Sequence, residues 1–140
     1  MLAFQRIVVM SLLFISSLFA FALAAPAKGR PKSYSGEATH YDPALGACGK
    51  VNKGTDHVVA VSKLIQSHST IPGHTANPNQ NPLCGRKIKA SYGKKSVTVT
   101  LVDRCETCQY YDLDFSPSAF EVFAPLGSGR LTKGMTWEWA

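Results

Sequence analysis

Short extended segments, separated by turns rich in glycine and proline, dominate this 140-residue sequence. Apolar and polar residues alternate in segments 84–92 and 96–103, on either side of a Gly-Lys-Lys turn, and this pattern predicts a β-hairpin. Four further strands are expected at residues 33–42, 57–62, 113–115 and 131–139. Because short strands bury their apolar residues by closing on themselves, we predict a mainly β fold built as a small barrel.

One or two short helices are expected within this β framework. Ser116 and Pro117 form an N-cap followed by a proline in the first turn, which predicts a helix that continues through Leu126. Residues 63–67 are expected to add one helical turn after the second strand. Residues 69–82 are rich in Pro, Gly, Asn and Thr and predict a long surface loop.

The first 24 residues have the features of a secretory signal peptide. An uncharged apolar run extends from Ile7 to Ala24 and ends in Ala-Leu-Ala, the small-residue pattern of a cleavage site. A membrane anchor is the alternative, because a spanning helix needs roughly 20 apolar residues, but no second apolar run follows. We expect a secreted, extracellular monomer without membrane association, with a disordered basic tail at 25–32 and one domain at 33–140.

The charge distribution argues against a nucleic-acid partner. The full chain has a net charge of +6, but the predicted tail holds three basic residues, and residues 33–140 carry 11 basic and nine acidic residues. The predicted domain is therefore almost neutral, and no broad basic surface of the kind that binds nucleic acid is expected. Since only 17% of the residues are charged, a disordered polyelectrolyte and a coiled coil are also excluded.

The chain contains four cysteines, namely Cys48, Cys84, Cys105 and Cys108. Two disulfides are expected because a secreted chain folds in an oxidising compartment. Of the three possible pairings, we favour Cys48 with Cys84, each followed by glycine, and the near neighbours Cys105 with Cys108. A redox pair at Cys105 and Cys108 and a four-cysteine zinc site are the alternatives. The first lacks the helix that would lower a thiol pKa, and the second lacks two close pairs.

No metal or cofactor is expected. The four histidines lack the i, i+4 spacing of a metal site, and no Gly-x-Gly-x-x-Gly sequence follows a predicted strand as in flavin- or nicotinamide-binding proteins. The histidines are instead expected to be solvated or hydrogen-bonded.

Five short motifs occur in the order found in expansin-like proteins. They are GEATHY at 36–41, ACG at 47–49, LCG at 83–85, VD at 102–103 and DFSPSAF at 114–120. The last is the most specific. Residues 33–140 thereby resemble single-domain secreted expansin-like proteins, including the loosenins and the riboflavin-aldehyde-forming-enzyme-like proteins, within the wider rare lipoprotein A and barwin group. The resemblance implies a six-stranded double-psi β-barrel with one or two short helices.

The resemblance also implies a polar groove that receives a cell-wall polysaccharide. Thr39 and Tyr41 match the first-strand motif and project from one strand face because they are two residues apart. Asp103 matches the aspartate that ends the mid-barrel strand, and Asp114 matches the general acid of hydrolytic relatives. Asp103 and Asp114 are joined by the short cysteine-containing loop, so we expect them to meet and to raise one of the two carboxyl pKa values.

Other residues near these motifs have two interpretations each. Tyr110 and Tyr111 are candidate glycan-binding residues, with covering the core as the alternative. Trp137 is assigned with Trp139 to core packing, since buried aromatic side chains dominate cores. Asp112 is expected to be a solvated or capping carboxylate.

The sequence favours glycan binding over hydrolysis. An inverting glycosidase needs a base carboxylate as well as a general acid, and family 45 endoglucanases place that base in Thr-x-Tyr-x-Asp. In this chain Asp42 follows Tyr41 directly, which places it on the opposite strand face. We also expect no second domain of the kind that anchors full expansins to cellulose. We therefore expect a non-hydrolytic, wall-loosening protein that binds cellulose or a chitin-like glycan.

Two alternatives to that function remain. The first is a secreted cysteine-protease inhibitor or effector on the same barrel, with the loop at residues 69–82 entering the protease cleft. The second is a glycan-cleaving enzyme that uses Asp114 as general acid.

Overall fold

A computed structural model describes residues 33–67 and 77–140. Six strands close into one barrel in the order β1-β5-β2-β4-β3-β6, so the predicted mainly β barrel is confirmed. The elements, in chain order, are β1 (Tyr34–His40), β2 (Val58–Ser62), α1 (Lys63–Ser67), β3 (Lys87–Tyr92), β4 (Lys95–Cys105), β5 (Leu113–Phe115), α2 (Pro117–Phe120) and β6 (Arg130–Trp139). Short 3-10 turns occupy Pro78–Gln80 and Leu126–Ser128. Within the described part of the chain, no helix is long and apolar enough to cross a membrane.

Strand direction is mixed around the barrel. The β1–β5 and β2–β4 pairs are parallel, whereas β2–β5, β3–β4, β1–β6 and β3–β6 are antiparallel. Strand β2 lies between β5 and β4, and all five of its residues are buried, which explains why its sequence is almost continuously apolar rather than alternating. The barrel thus has no open edge at which a foreign strand could pair.

The barrel interior is filled by every second residue of each strand. Strict alternation holds in β3 and in the first half of β4, where buried residues follow exposed ones, as the period of a strand requires. Removing this apolar surface from water contributes about 25 cal/mol per Å2 to the stability of the fold. The largest fully buried side chains are Trp137, Phe115, Phe120, Ile88, Leu101, Leu113 and Met135.

The predicted hairpin, the other strands and α1 are confirmed, with small shifts at the ends. The clearest difference is α2, which ends at Phe120 and does not continue through Leu126. The chain continues in turns after Phe120, and Phe123 as well as Phe120 is buried in the barrel core. Pro125 lacks the N–H that a continuing helix would need.

Ser116 occupies the predicted N-cap position of α2, but its side chain makes no capping bond to the helix. Its hydroxyl donates to the carbonyl of Asp56 at 2.5 Å and accepts the N–H of Val58 at 3.3 Å. The predicted capping bond is therefore wrong. The side chain instead ties the start of α2 to the start of β2.

The cysteines form the two favoured disulfides, Cys48–Cys84 and Cys105–Cys108. No cysteine is free, so the zinc-site interpretation is wrong because no thiolate remains to bind a metal. The predicted signal peptide at 1–24, the tail at 25–32 and most of the loop at 69–82 lie outside the described residues.

Candidate functional site

Four residues from four neighbouring strands lie side by side on the outer face of the barrel. Thr39 of β1 is in register with Asp114 of β5, Asp114 with Ala60 of β2, and Ala60 with Asp103 of β4. Residues in register on paired strands share a sheet face. We call Thr39, Asp114, Ala60 and Asp103 the polar row. The strand residues beside them, Ala38, Leu113, Val59 and Leu101, face the core.

A β-bulge brings Asp103 into this row. Val59 pairs with Leu101, but Ala60 pairs with Asp103, so Val102 is an extra residue on β4. Leu101 is completely buried in the core, and strict alternation would send Asp103 to the core as well. The extra residue turns Asp103 outward instead. The two carboxylates therefore approach each other across β2, and not through the Cys105–Cys108 loop as the sequence had indicated.

Asp114 is held at the centre of the row by its neighbour on β1. The Thr39 hydroxyl donates to Asp114 Oδ1 at 2.6 Å. Burial raises the pKa of Asp114 above its ordinary value, and the Asp103 charge adds to this; the Thr39 hydrogen bond and the charges of His40 and Arg130 oppose it. Burial outweighs the opposing effects, so Asp114 keeps its proton to higher pH than a solvated aspartate does.

Asp103 anchors the loop between β1 and β2. Its Oδ1 accepts the backbone N–H of Ala47 at 2.7 Å and of Arg104 at 2.8 Å. A Cβ on Gly46 would lie 2.5 Å from the Val102 carbonyl oxygen and 3.2 Å from Asp103 Cγ. Only glycine lets the loop approach this closely, so Gly46 and Asp103 together set the position of the loop beside the row.

Tyr41 places a neutral hydroxyl next to both carboxylates. Burial raises the pKa of Tyr41, and the charges of Asp103 and Asp114 raise it further. Asp103 lies near this hydroxyl, but no described residue meets the full geometry of a hydrogen bond to it. A buried hydroxyl without a partner is costly, so this group has hydrogen-bonding capacity to offer a ligand or a water molecule.

Tyr110 and Tyr111 lie beside the polar row and not in it. Each is 39% exposed, and Tyr111 stacks on Tyr34 with ring centroids 5.0 Å apart. The carbonyl of Tyr111 also accepts the indole N–H of Trp137 at 2.8 Å. The two tyrosines thus form an aromatic edge that partly covers the barrel end.

Three further residues considered in the sequence analysis are Asp112, Trp137 and Asp42. Asp112 is buried and accepts the N–H groups of Glu37 at 2.8 Å and Gln109 at 2.9 Å, so it is a capping carboxylate and is not solvated. Trp137 is buried as predicted. Asp42 is exposed.

Sequence reasoning missed three contributors to the site. His40, whose Nε2 lies 3.0 Å from the Leu126 carbonyl oxygen, and Arg130 both act on Asp114 through their charges. His40 lies inside the GEATHY motif, which could have indicated it. Nothing in the sequence indicates that Ala60 belongs to the site, since an alanine within an apolar run is typical of any buried strand.

Comparison with known proteins identifies relatives of this chain. No family model matches it. A papain inhibitor of Streptomyces mobaraensis is 33% identical over 107 residues, which cover 74% of this chain and 69% of the inhibitor. Allergen Asp f 7 of Aspergillus fumigatus is 32% identical over 108 residues, but the match spans only 35% of the allergen.

Solved structures give the same assignment. A Streptomyces papain inhibitor superposes with a TM-score of 0.69 at 31% identity, over 79% of this chain and 96% of the inhibitor. An expansin of Clavibacter michiganensis, solved in complex with cellohexaose, superposes with a TM-score of 0.60 at 23% identity, over 77% of this chain and half of the expansin. The second match shows the fold alone, which is the double-psi barrel implied by the sequence motifs. The chain therefore belongs to the family of the papain inhibitor and shares the double-psi β-barrel fold of the expansin.

Proposed function

We propose that this protein is a secreted, non-hydrolytic polysaccharide-binding protein that loosens cell walls through the polar row. The observation that carries the proposal is the hydrogen-bonded pair of Thr39 and Asp114, with Asp103 in register beyond Ala60 and the Tyr41 hydroxyl beside both carboxylates. Secretion is supported by the two disulfides, which belong to an oxidising compartment. The protein is proposed to act as a monomer.

The chemistry of the row matches a sugar chain. Each sugar hydroxyl can donate and accept a hydrogen bond, as can a serine hydroxyl. Asp114, whose raised pKa lets it keep its proton to higher pH than a solvated aspartate, can in that form donate to a sugar oxygen, whereas Asp103 offers acceptor oxygens. Ala60, which lies between them in register, is small and buried. The cellohexaose bound to the related expansin supports a β-linked glycan as the ligand.

Two features support binding without hydrolysis. A glycosidase of the inverting type needs a base carboxylate that activates water. Asp103 is the nearest carboxylate in the row, but its Oδ1 already accepts two backbone N–H groups. Asp42 is exposed and follows Tyr41 directly, one position short of the family 45 base. Asp114 could still act as a general acid if another base were supplied, so a glycan-cleaving enzyme is the alternative outcome of the test.

The test separates binding from cleavage. The secreted form, beginning at Ala25, is incubated with crystalline cellulose, chitin and peptidoglycan, and both the protein in the pellet and the soluble reducing sugar are measured. We expect retention on at least one glycan, with reducing sugar at the level of a protein-free sample. Release of reducing sugar would replace the proposal by the glycan-cleaving alternative, and absence of retention on all three would contradict it.

Inhibition of a cysteine protease is the second candidate function. It is favoured by the match to the papain inhibitor, which spans 96% of that solved chain. The loop between β1 and β2 is also suited to protease inhibition. Leu45 and Val51 form a β-bridge in this loop, yet their side chains are 71% and 75% exposed. The Cys48–Cys84 disulfide holds this loop. A rigid loop with apolar residues at its tip loses little entropy when it enters a cleft.

Titration of papain with the protein tests this candidate. Inhibition that is lost in the Leu45→Ser/Val51→Ser variant, but kept in Asp114→Asn, would support it and would assign the loop as the contact. The absence of inhibition at a tenfold molar excess over papain would contradict it. Because the two candidates use different residues, the two experiments fail independently.

A further inference from the structure

The positive charge of the barrel is concentrated in one hairpin. Residues 86–102 contain five basic residues and no acidic one, whereas the other residues of the 33–140 segment contain six basic and nine acidic ones. The near-neutral total of the domain therefore hides a strong separation of charge. The hairpin formed by β3 and β4 is positive, and the rest of the domain is negative.

The register of the strands places two of these five basic residues, Lys87 and Lys89, on one outer face. Lys89 of β3 is in register with Thr98 of β4 and with Glu138 of β6, and Lys87 is in register with Thr100. The residues between the lysines are buried in the core, so both lysines point outward. We define the basic face as Lys87, Lys89, Thr98, Thr100, Ser91 and Thr136, the last two being paired in the adjacent row, together with the half-buried Glu138 that is paired with Lys89.

The basic face and the polar row lie on different sides of the barrel. The row is centred on β5 and β2, whereas the face is centred on β3, which lies opposite them in the strand order. A ligand of one surface therefore does not compete directly with a ligand of the other.

The lysines of the basic face are available to a partner. The ion pairs within the described ranges are Lys63–Glu106, Arg104–Glu106 and Arg130–Glu37, and none involves this face. Lys87 and Lys89 are both exposed.

The composition of the face limits the kind of partner. The large apolar side chains that are exposed among the described residues are Leu45, Val51, Leu64, Tyr110 and Tyr111, and all lie outside it. Protein interfaces depend on apolar and aromatic anchors, and single-stranded nucleic acids bind through exposed stacking rings. A face of two ammonium groups and several hydroxyls, with the half-buried carboxylate of Glu138 beside Lys89, provides neither. It matches a polymer that carries both carboxylates and hydroxyls.

We propose that the basic face binds an acidic polysaccharide, a chain of sugars that bear carboxylates. The lysine ammonium groups pair with the carboxylates, and the threonine and serine hydroxyls bond to the sugar hydroxyls. This surface is separate from the polar row, so the inference goes beyond the proposed function and does not depend on it.

The experiment measures binding of the secreted form to sodium polygalacturonate and to neutral hydroxyethylcellulose by affinity electrophoresis. The test variant is Lys87→Gln/Lys89→Gln, and the matched control is Lys50→Gln/Lys53→Gln, which removes the same charge from exposed positions in the loop between β1 and β2. We expect the test variant to bind polygalacturonate about fivefold more weakly, as the loss of two exposed charge pairs implies. The control should bind like the wild type, and raising the salt to about 1 M should remove binding by screening.

Several results would overturn the inference. The first is an equal loss of polygalacturonate binding in the test variant and in the Lys50→Gln/Lys53→Gln control, which would show a nonspecific effect of charge. The second is unchanged binding in both variants. Tighter binding to single-stranded DNA than to polygalacturonate, with the same dependence on Lys87 and Lys89, would assign a nucleic acid instead. The Lys87→Arg/Lys89→Arg variant should keep binding, and failure to do so would contradict the role of charge. Binding of cellulose by these variants reports on the polar row separately.

Discussion

Thr39 donates a 2.6 Å hydrogen bond to Asp114 across the parallel β1–β5 pair. The bond favours the ionised carboxylate, whereas burial of Asp114 favours the protonated one, and burial prevails because the pKa of Asp114 is raised. One threonine hydroxyl thus limits how far the central carboxyl of the site departs from an ordinary aspartate.

The first prediction concerns this bond. Replacing Thr39 by Val keeps the shape of the side chain and removes the hydroxyl, so the pKa of Asp114 should rise further. Titration of the carboxyl carbon of Asp114 by NMR measures the change. Ser35→Ala is the matched control, since Ser35 lies on the same strand but bonds to the carbonyl of Met135 at 3.3 Å. An Asp114 pKa that stays constant or falls in Thr39→Val would contradict the assignment.

The second prediction is the pH dependence of stability. Asp114 has an ordinary pKa of 3.8, and the pKa in the folded protein is raised, so the folded state binds more protons than the unfolded state between the two values. The stabilisation is fully present below about pH 4 and is lost as the pH rises through the folded pKa. The free energy of unfolding of the wild type, minus that of Asp114→Asn, should therefore fall from pH 3 to pH 7. Urea unfolding at a series of pH values tests the sign, and a difference that grows with pH would contradict it.

The third prediction concerns the approach of the loop to Asp103. Gly46→Ala places a methyl group 2.5 Å from the Val102 carbonyl oxygen, so the loop must move away from the β-bulge. We expect a loss of about 1–3 kcal/mol in the free energy of unfolding, as for other overpacked sites, together with weaker glycan binding. Gly127→Ala is the control, because a methyl group there meets nothing within 4 Å. Equal stability of the two variants would show that the loop does not need this close contact.

The fourth prediction ranks the two disulfides. Cys48 and Cys84 are separated by 36 positions, and Cys105 and Cys108 by three. Because a longer closed loop restricts the unfolded chain more, removing the first bridge should cost about 4 kcal/mol and removing the second about 2 kcal/mol. Urea unfolding of the Cys48→Ser/Cys84→Ser and Cys105→Ser/Cys108→Ser variants measures both. A larger loss from the second pair would mean that native contacts of the short loop outweigh chain entropy.

The strands could be predicted from the sequence because apolar and polar residues alternate within each short segment, which is a local pattern. In β3, Ile88 and Ala90 alternate with Lys87 and Lys89, and the pattern alone determines which side faces the core. The disulfide pairing followed for a similar reason, since the secretory features and the spacing left few alternatives.

The geometry of the site could not be predicted in the same way. The outward position of Asp103 depends on the extra residue Val102 in the pairing of β4 with β2, and a register shift between strands distant in the chain leaves no local pattern. The hydroxyl of Ser116 likewise bonds to Asp56, 60 residues away, instead of to the nearby helix. Contacts between segments distant in the chain therefore determine both the position of Asp103 and the hydrogen bond of Ser116.

The most direct test of the central claim compares Asp114→Asn with Asp42→Asn. Asparagine keeps the size of the side chain but cannot ionise or donate an acidic proton, so Asp114→Asn should fold normally and lose retention on cellulose or chitin. Asp42→Asn removes an exposed carboxylate one residue beyond Tyr41 and should bind like the wild type, with a stability change within about 0.5 kcal/mol. Full retention by Asp114→Asn together with loss of binding in Asp42→Asn would show that the polar row is not the glycan-binding site.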